Sequence, residues 1–281
     1  MSARIVDGRA MAAAIRDDLK SRVTRLVATG KRAPSLRIVL VGDDEASHIY
    51  ARRLEKAGGN VGITVAIDRY TSDRSETGLA STIHALNSDA QVDGVIVAMP
   101  LPKHLSSDIV STALDPRKDV DGITILNAGN LYLGRPGHVP STAASIMEIL
   151  HRSEIEVSGR RAVVLGRSPV VGKPVALQLL REHATVTICH TRTVNLGDVT
   201  READILVVAA GSAGCIDGSM IKPGATVIDA GINATKSGIA GDVDFDSAAE
   251  VAGAITPVPG GVGPLTNVLL LEAVVSNHET A

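Results

Sequence analysis

Short runs of aliphatic and β-branched residues, such as LRIVLVG at 36–42 and GVIVA at 94–98, alternate with longer stretches whose apolar residues recur every three or four positions. The first pattern is that of a strand buried on both faces and the second that of an amphipathic helix. Their alternation predicts βαβ units and a parallel sheet rather than a sandwich or a bundle. In the first half it predicts strands over 36–42, 64–69 and 94–98, helices over 45–57, 76–87 and 106–114, and an opening helix over 10–28. Between 127 and 140 Gly and Pro break the rhythm, which marks a linker and a domain boundary. The second half restarts with a helix over 143–152, continues with strands ending in RAVVLG, ATVTIC, DILVVAAG, ATVIDAG and AITPVPGG, and closes on a helix over 265–277. The expected fold class is therefore α/β, in two domains. In open α/β sheets ligands sit beyond the carboxyl ends of the strands, so the polar and Gly-rich loops after the later strands are the expected rim of a binding site.

Composition narrows the function. With 281 residues, 44% hydrophobic and 21% charged, the chain suits one large or two modest globular domains. A net charge of −3 favours neither nucleic acid nor an anionic membrane, which leaves a small molecule as the expected partner. The first twenty residues mix both charge signs and lack a secretory apolar core, and no apolar run approaches a membrane span, so a soluble cytoplasmic protein is expected. Cys189 and Cys215 form neither a CxxC pair nor a disulfide framework and are read as reduced thiols; no metal site follows from them. With 1% aromatic residues the core must be packed from Ala, Val, Ile and Leu, as a helix-covered parallel sheet allows.

The run RAVVLGRSPVVGKPVALQLL reads as a buried strand, a loop with Gly166 and Gly172, and a helix with Pro174 in its first turn. Glycines let a backbone approach a pyrophosphate, and a helix N-terminus offers it N–H groups and partial positive charge. The spacing is not GxGxxG, so a strand-to-helix turn that needs glycine only for geometry remains open beside dinucleotide binding. The next strand, ATVTIC, ends in His190, Thr191 and Arg192, where an NAD-binding unit normally carries an acid on the adenosine ribose. An acid there would repel a 2′-phosphate, whereas Arg192, Thr191 and Arg167 suit one through charge-assisted hydrogen bonds, which favours NADP. A solvated loop cation for Arg192, and a strand-end histidine without a ligand for His190, remain the plain alternatives.

GRSPVVGKP at 166–174, ATVTICHTRT at 184–193, KPGATVIDAGIN at 222–233 and TPVPGGVGPLT at 256–266, in that order, resemble the bifunctional methylenetetrahydrofolate dehydrogenase/cyclohydrolase (FolD) family. VGDDEASHIY at 41–50, PLPKH at 100–104 and DPRKDVDG at 115–122 extend the resemblance over nearly the whole chain. It implies a folate domain over 1–125 completed by a C-terminal helix over 264–281, and an NADP-binding Rossmann-type domain over 140–262, with the folate in a cleft that the two domains face. It also implies a homodimer. Gly166, Arg167, Ser168, Thr191 and Ile232 match the family's NADP-contacting positions. Tyr50 matches the tyrosine that stacks on the aminobenzoyl ring of the folate, and Asp121 the carboxylate that hydrogen-bonds the pterin. On bare sequence Tyr50 is equally a helix tyrosine at a domain interface and Asp121 a turn or cap carboxylate in KDVDG.

The substrate side departs from the family. Its lysine lies four residues after the tyrosine, about 400° around the helix and so on the same face, and that position is Leu54 here. Its glutamine, just before the PLP segment, is Ala98, and Lys56 is six residues from Tyr50 and points elsewhere. Arg53 cannot replace the lysine as a tunable base because a guanidinium stays protonated. Thr124, Ile125 and Asn130 stand for the usual His-Pro and Arg, and PSTA at 140–143 for Pro-Cys-Thr-Pro. Oxidation of a methylene bridge between two nitrogens needs orientation more than a protein base, whereas hydrolysis of the methenyl ring needs an activated water and a protonated leaving nitrogen. The expectation is NADP-dependent oxidation of 5,10-methylenetetrahydrofolate with weak or absent cyclohydrolase activity. The alternatives are full bifunctionality, a non-catalytic NADP-binding sensor, and an oxidoreductase for another pterin-like substrate.

Overall fold

The computed structural model describes residues 3–235 and 238–280. Met1, Ser2 and Ala281, at the ends of the expected domains, lie outside the described residues. In chain order the elements are β1 (Arg4–Ile5), α1 (Gly8–Ala28), β2 (Ser35–Val41), α2 (Glu45–Val61), β3 (Thr64–Tyr70), α3 (Glu76–Ser88), β4 (Gly94–Val97), α4 (Asp108–Ala113), α5 (Ile125–Tyr132) and α6 (Ser141–Arg152). They continue as β5 (Arg161–Leu165), α7 (Gly172–Arg181), β6 (Thr185–Cys189), α8 (Leu196–Thr200), β7 (Ile205–Val208), β8 (Thr226–Asp229), β9 (Asn233–Thr235), β10 (Gly238–Ala240), α9 (Phe245–Ala249), β11 (Ala254–Ile255) and α10 (Val262–Thr280). They fall into two compact units, one holding the chain up to Ala13 with Pro140–Thr266, the other Ala14–Val139 with the chain from Asn267.

The unit formed by Ala14–Val139 and the end of the chain is built on a parallel sheet in the order β3-β2-β4. Val39 and Val41 of the central strand β2, with Val95 and Val97 of β4, bury against Leu79, Ile83 and Leu86 of α3. Helix α2 starts where Asp44 accepts the Ser47 N–H and stops at Gly62, whose φ of 87° suits glycine. Its buried face is Ser47, Ala51, Leu54, Gly58 and Val61, the three-to-four-residue spacing of one helix side. Gly58 is glycine because a Cβ there would stand 2.4 Å from the Val65 side chain. Past Asn267, α10 closes this unit. Leu271 approaches Gly58, Val274 approaches Gly94, and Arg22 of α1 bonds Glu272, Ser276 and Glu279. His278, buried, meets Asp93 at 3.1 Å, and Asp93 also accepts from both terminal nitrogens of Arg32.

The other unit holds a six-stranded parallel sheet in the order β1-β11-β8-β7-β5-β6. Valines, leucines and isoleucines of β5, β7 and β8 are almost wholly buried, the composition of a strand covered on both faces. The strand order runs outward from β5 in two directions, to β6 and to β7, β8 and β11, so the switch point at which such sheets bind ligands lies between β5 and β7.

Two features depart from the pattern read along the chain. Strand β1, two exposed residues long, pairs with β11, and its neighbours add Arg4 N–H to Gly253 O at 2.9 Å and Val6 N–H to Ile255 O at 2.8 Å. The chain up to Ala13 therefore groups with the six-stranded sheet rather than with the domain expected over 1–125. The stretch 127–140, expected as a linker, begins inside α5. Thr124 caps that helix by accepting the Asn127 N–H, and the one turn-breaking residue within it, Gly129, is tolerated. Among the described residues no helix is long and apolar enough to cross a membrane, and no group of His, Cys, Asp and Glu is arranged to hold a metal ion.

Candidate functional site

Strand β5 ends in the loop 166–171, and Gly166 turns there with φ 132°. A Cβ on Gly166 would fall 2.3 Å from the carbonyl oxygen of Ala209 at the end of β7, and one on Gly172 would fall 2.1 Å from Gly166 O. Both glycines are thus required by the protein's own backbone, which brings strand, loop and helix within contact at the switch point. The hydroxyl of Ser168 accepts the N–H groups of Val171 at 3.1 Å and Gly172 at 3.4 Å, while the Ser168 carbonyl accepts that of Lys173. Pro174 has no N–H. The first-turn donors expected to be free for a pyrophosphate are therefore engaged by Ser168, and what α7 offers an anion is its dipole.

The end of β6 is a tight turn. His190 N–H bonds Thr193 Oγ1 at 2.9 Å, Thr193 N–H bonds His190 O at 2.8 Å, and the Arg192 N–H bonds Nδ1 of His190 at 3.1 Å. Nδ1 is thereby the unprotonated ring nitrogen, and His190 holds the turn. Thr191 and Arg192 project from it, exposed, and Arg167 is exposed on the neighbouring loop. Among the described residues neither guanidinium pairs with a carboxylate. Two unpaired cations beside a strand end that carries no acid match a phosphomonoester on a ribose better than a free 2′-hydroxyl. Ile232, 70% exposed, follows β8 on the same side of the sheet. Of the cysteines, Cys189 is buried at the end of β6 and its thiol is pushed up by burial; both are free.

In the other unit Tyr50 stands on α2, half-buried, and Asp121 on the turn after the Val95–Asp119 bridge. Burial first, and the Asp121 carboxylate second, push the Tyr50 phenol well above its ordinary value, so it stays protonated. The two residues matched on sequence are thus brought within electrostatic reach. The turn role expected of Asp121 belongs instead to Asp119. That carboxylate, fully buried, accepts the N–H of Ile123 at 3.1 Å, the N–H of Thr124 at 2.8 Å and Nδ2 of Asn127 at 2.9 Å. Leu54, one turn beyond Tyr50, is 0% exposed, and Ala98 is buried at the end of β4, where its N–H bonds Val39 O. Arg53 and Lys56 are exposed, off the buried face of α2. His48 bonds Gly42 O and His104 bonds Arg74 O, so both serve the backbone.

Three carboxylates escaped the sequence reading: Asp119, Asp229 and Asp242. Each is almost wholly buried and saturated by N–H donors. The available signal was an Asp set among glycines, in KDVDG, IDAG and GDVD, a pattern common in ordinary turns.

Residues 6–121 match the family model for the tetrahydrofolate dehydrogenase/cyclohydrolase catalytic domain, and 140–281 that for its NAD(P)-binding domain. A bifunctional protein FolD of Chloroflexus aggregans is 49% identical over 276 residues, 98% of this chain and 97% of the relative. The crystal structure of the bifunctional enzyme FolD from Campylobacter jejuni superposes with a TM-score of 0.97 at 38% identity, covering 99% of each chain. The Trypanosoma brucei methylenetetrahydrofolate dehydrogenase-cyclohydrolase, solved with NADP and an inhibitor, gives 0.94 at 36% identity over 100% of this chain and 98% of that one.

Proposed function

Because the chain belongs to the tetrahydrofolate dehydrogenase/cyclohydrolase family, we propose that it oxidises 5,10-methylenetetrahydrofolate to 5,10-methenyltetrahydrofolate with NADP. The observation that carries the cofactor choice is the pair of exposed, unpaired guanidiniums, Arg167 and Arg192, at a strand end without an acid. Bound NADP supplies the hydride acceptor. Arg167, Thr191 and Arg192 hold its 2′-phosphate by charge-assisted hydrogen bonds, Gly166, Ser168 and Gly172 shape the loop at the switch point, His190 fixes the turn that presents Arg192, and Ile232 offers apolar surface. On the substrate side Tyr50 presents its ring to the aminobenzoyl group. Asp121 accepts hydrogen bonds from the pterin, and the Tyr50 phenol stays protonated, held so by burial first and by the Asp121 charge second. As the C–H bond of the methylene bridge breaks, the adjacent nitrogen of the substrate supplies the electron pair, so no side chain has to take a proton. Orientation is then the main service of the protein.

The names of the relatives support full bifunctionality, with hydrolysis of the methenyl bridge as the second activity, better than they support a dehydrogenase alone. What supports a weaker hydrolytic half is the pair Leu54 and Ala98, two buried hydrocarbon side chains that can neither hold nor move a proton. The same resemblance carries the proposal of a homodimer working in the cytoplasm. The test is the purified protein with methylenetetrahydrofolate and NADP, following NADPH and the methenyl product separately. Joint accumulation supports the dehydrogenase with an impaired hydrolase, and NADPH without methenyl build-up supports full bifunctionality. No turnover, with NADPH still binding, would overturn both in favour of a sensor or another substrate.

A further inference from the structure

Strands β7 and β8 are neighbours in the sheet, and the segments that follow them are tied together by one carboxylate. Asp242, 0% exposed, accepts the backbone N–H groups of three successive residues, Ala210 at 2.6 Å, Gly211 at 2.8 Å and Ser212 at 2.9 Å. Its fourth partner is Nδ2 of Asn233 at 2.8 Å, next to Ile232 in the segment after β8. Asp229 repeats the arrangement from the other side, accepting the N–H groups of Gly231, Asp242 and Val243 at 2.8, 3.1 and 2.9 Å. The two segments cross so closely that a Cβ on Gly231 would stand 2.3 Å from Cγ of Asp242, and one on Gly241 1.9 Å from Oδ2 of Asp229. Among the described residues no lysine or arginine pairs with either acid; backbone N–H groups hold both, joined on Asp242 by the Asn233 side-chain amide.

Successive N–H groups converging on one point form an anion-binding nest. This nest lies at the carboxyl end of β7, beside Ala209, against which Gly166 packs, and a phosphate would ordinarily seek such a place. Here the protein fills it with its own side chain. The backbone donors of Ala210, Gly211 and Ser212 are consumed by Asp242, which leaves the Arg167 and Arg192 side as the place where cations are offered to a phosphate.

We propose that Asp242 is a positioning residue for the dinucleotide: it fills the nest after β7 and, through Asn233, sets the spacing between the β7 and β8 loops over which the cofactor lies. The inference rests on the NADP reading above. Its test is NADPH affinity, read by fluorescence titration, in the wild-type protein and in Asp242→Ala and Asn233→Ala, with the melting temperature of each. Asp242→Ala is expected to weaken NADPH binding by about tenfold or more. Sodium formate, a carboxylate that fits the vacated nest, is expected to restore much of the affinity, while neutral formamide of the same shape restores none.

A folded Asp242→Ala protein that binds NADPH like the wild type would overturn the inference, and so would a loss that formate fails to repair. Should Asp242→Ala not fold, Asn233→Ala carries the test. Weaker NADPH binding at an unchanged melting temperature supports the inference, and wild-type affinity overturns it. Wild-type protein that fails to bind NADPH at all would overturn the cofactor reading and this inference together, which separates the two failures.

Discussion

Leu54→Lys, alone and with Ala98→Gln, asks whether the hydrolytic half is limited by those two positions. Leu54 is 0% exposed on the buried face of α2, so the new ammonium would be desolvated. The lysine stem replaces the leucine hydrocarbon with little loss of packing, and the cost lies in the charge. A buried lysine whose pKa falls by ~3 units costs ~4 kcal/mol at neutral pH. Part of this is offset by Asp121, which is near enough to Tyr50, one turn away on the same helix, to perturb its phenol. At an effective dielectric of ~20, opposite unit charges ~8 Å apart attract by ~2 kcal/mol, which sets the scale of that offset. The net cost of ~2 kcal/mol corresponds to a melting temperature lower by ~4–8 °C, within what a two-unit chain tolerates. A lysine with a lowered pKa can exchange a proton near neutrality, so the assay is the decay of the methenyl chromophore in the absence of NADP, corrected for the buffer reaction. The expected result is a gain of about tenfold or more in the double variant, the lower end of positioned acid–base assistance being about a hundredfold. A folded double variant that hydrolyses no faster than wild type would refute the reasoning, as would a wild type that already hydrolyses as fast as it oxidises.

Further outcomes follow from the same side chains. Arg192→Ala should raise the KM for NADP by about tenfold and leave that for NAD nearly unchanged, with an effect that shrinks in high salt; equal changes for both cofactors would remove the 2′-phosphate assignment. Asp119→Ala should cost ~3 kcal/mol in a urea melt because it leaves buried N–H donors without partners, whereas Asp121→Asn, on the proposed pterin contact, should raise the KM for folate. Asp93 titrates below the usual carboxylate range: burial pushes it up, but the bonds from Arg32, the Ser35 N–H and His278 together outweigh burial. A lowered folded pKa means that its stabilisation is full above the unfolded value and is lost as pH falls below about 4, so a melt series toward acid should show that loss and Asp93→Asn should flatten it.

Much of the fold was legible because its signals are local. The buried strands announce themselves as aliphatic runs, the helices by their spacing, and α2 by a capping Asp44 at one end and Gly62 at the other. The proposed NADP preference rests on signals of the same local kind: Thr191 and Arg192 directly follow a strand, and the missing acid is visible as a letter. The nature of residues 54 and 98 was equally plain. Strand β1 was not legible, since two residues carry no period and exist as a strand only because β11 supplies partners. The roles of the acids were not legible either. In KDVDG the family resemblance singles out Asp121, but no local pattern tells that the backbone path buries Asp119 under three donors and brings Asp121 within electrostatic reach of Tyr50. The sequence by itself determined which chemistries are present, because side-chain identity sets charge, hydrogen-bonding capacity and reach. Tertiary structure decided which acids are plugs for the protein's own amides, because that depends on N–H groups from segments as far apart as 210–212 and 242 converging on one carboxylate, a juxtaposition no local pattern encodes.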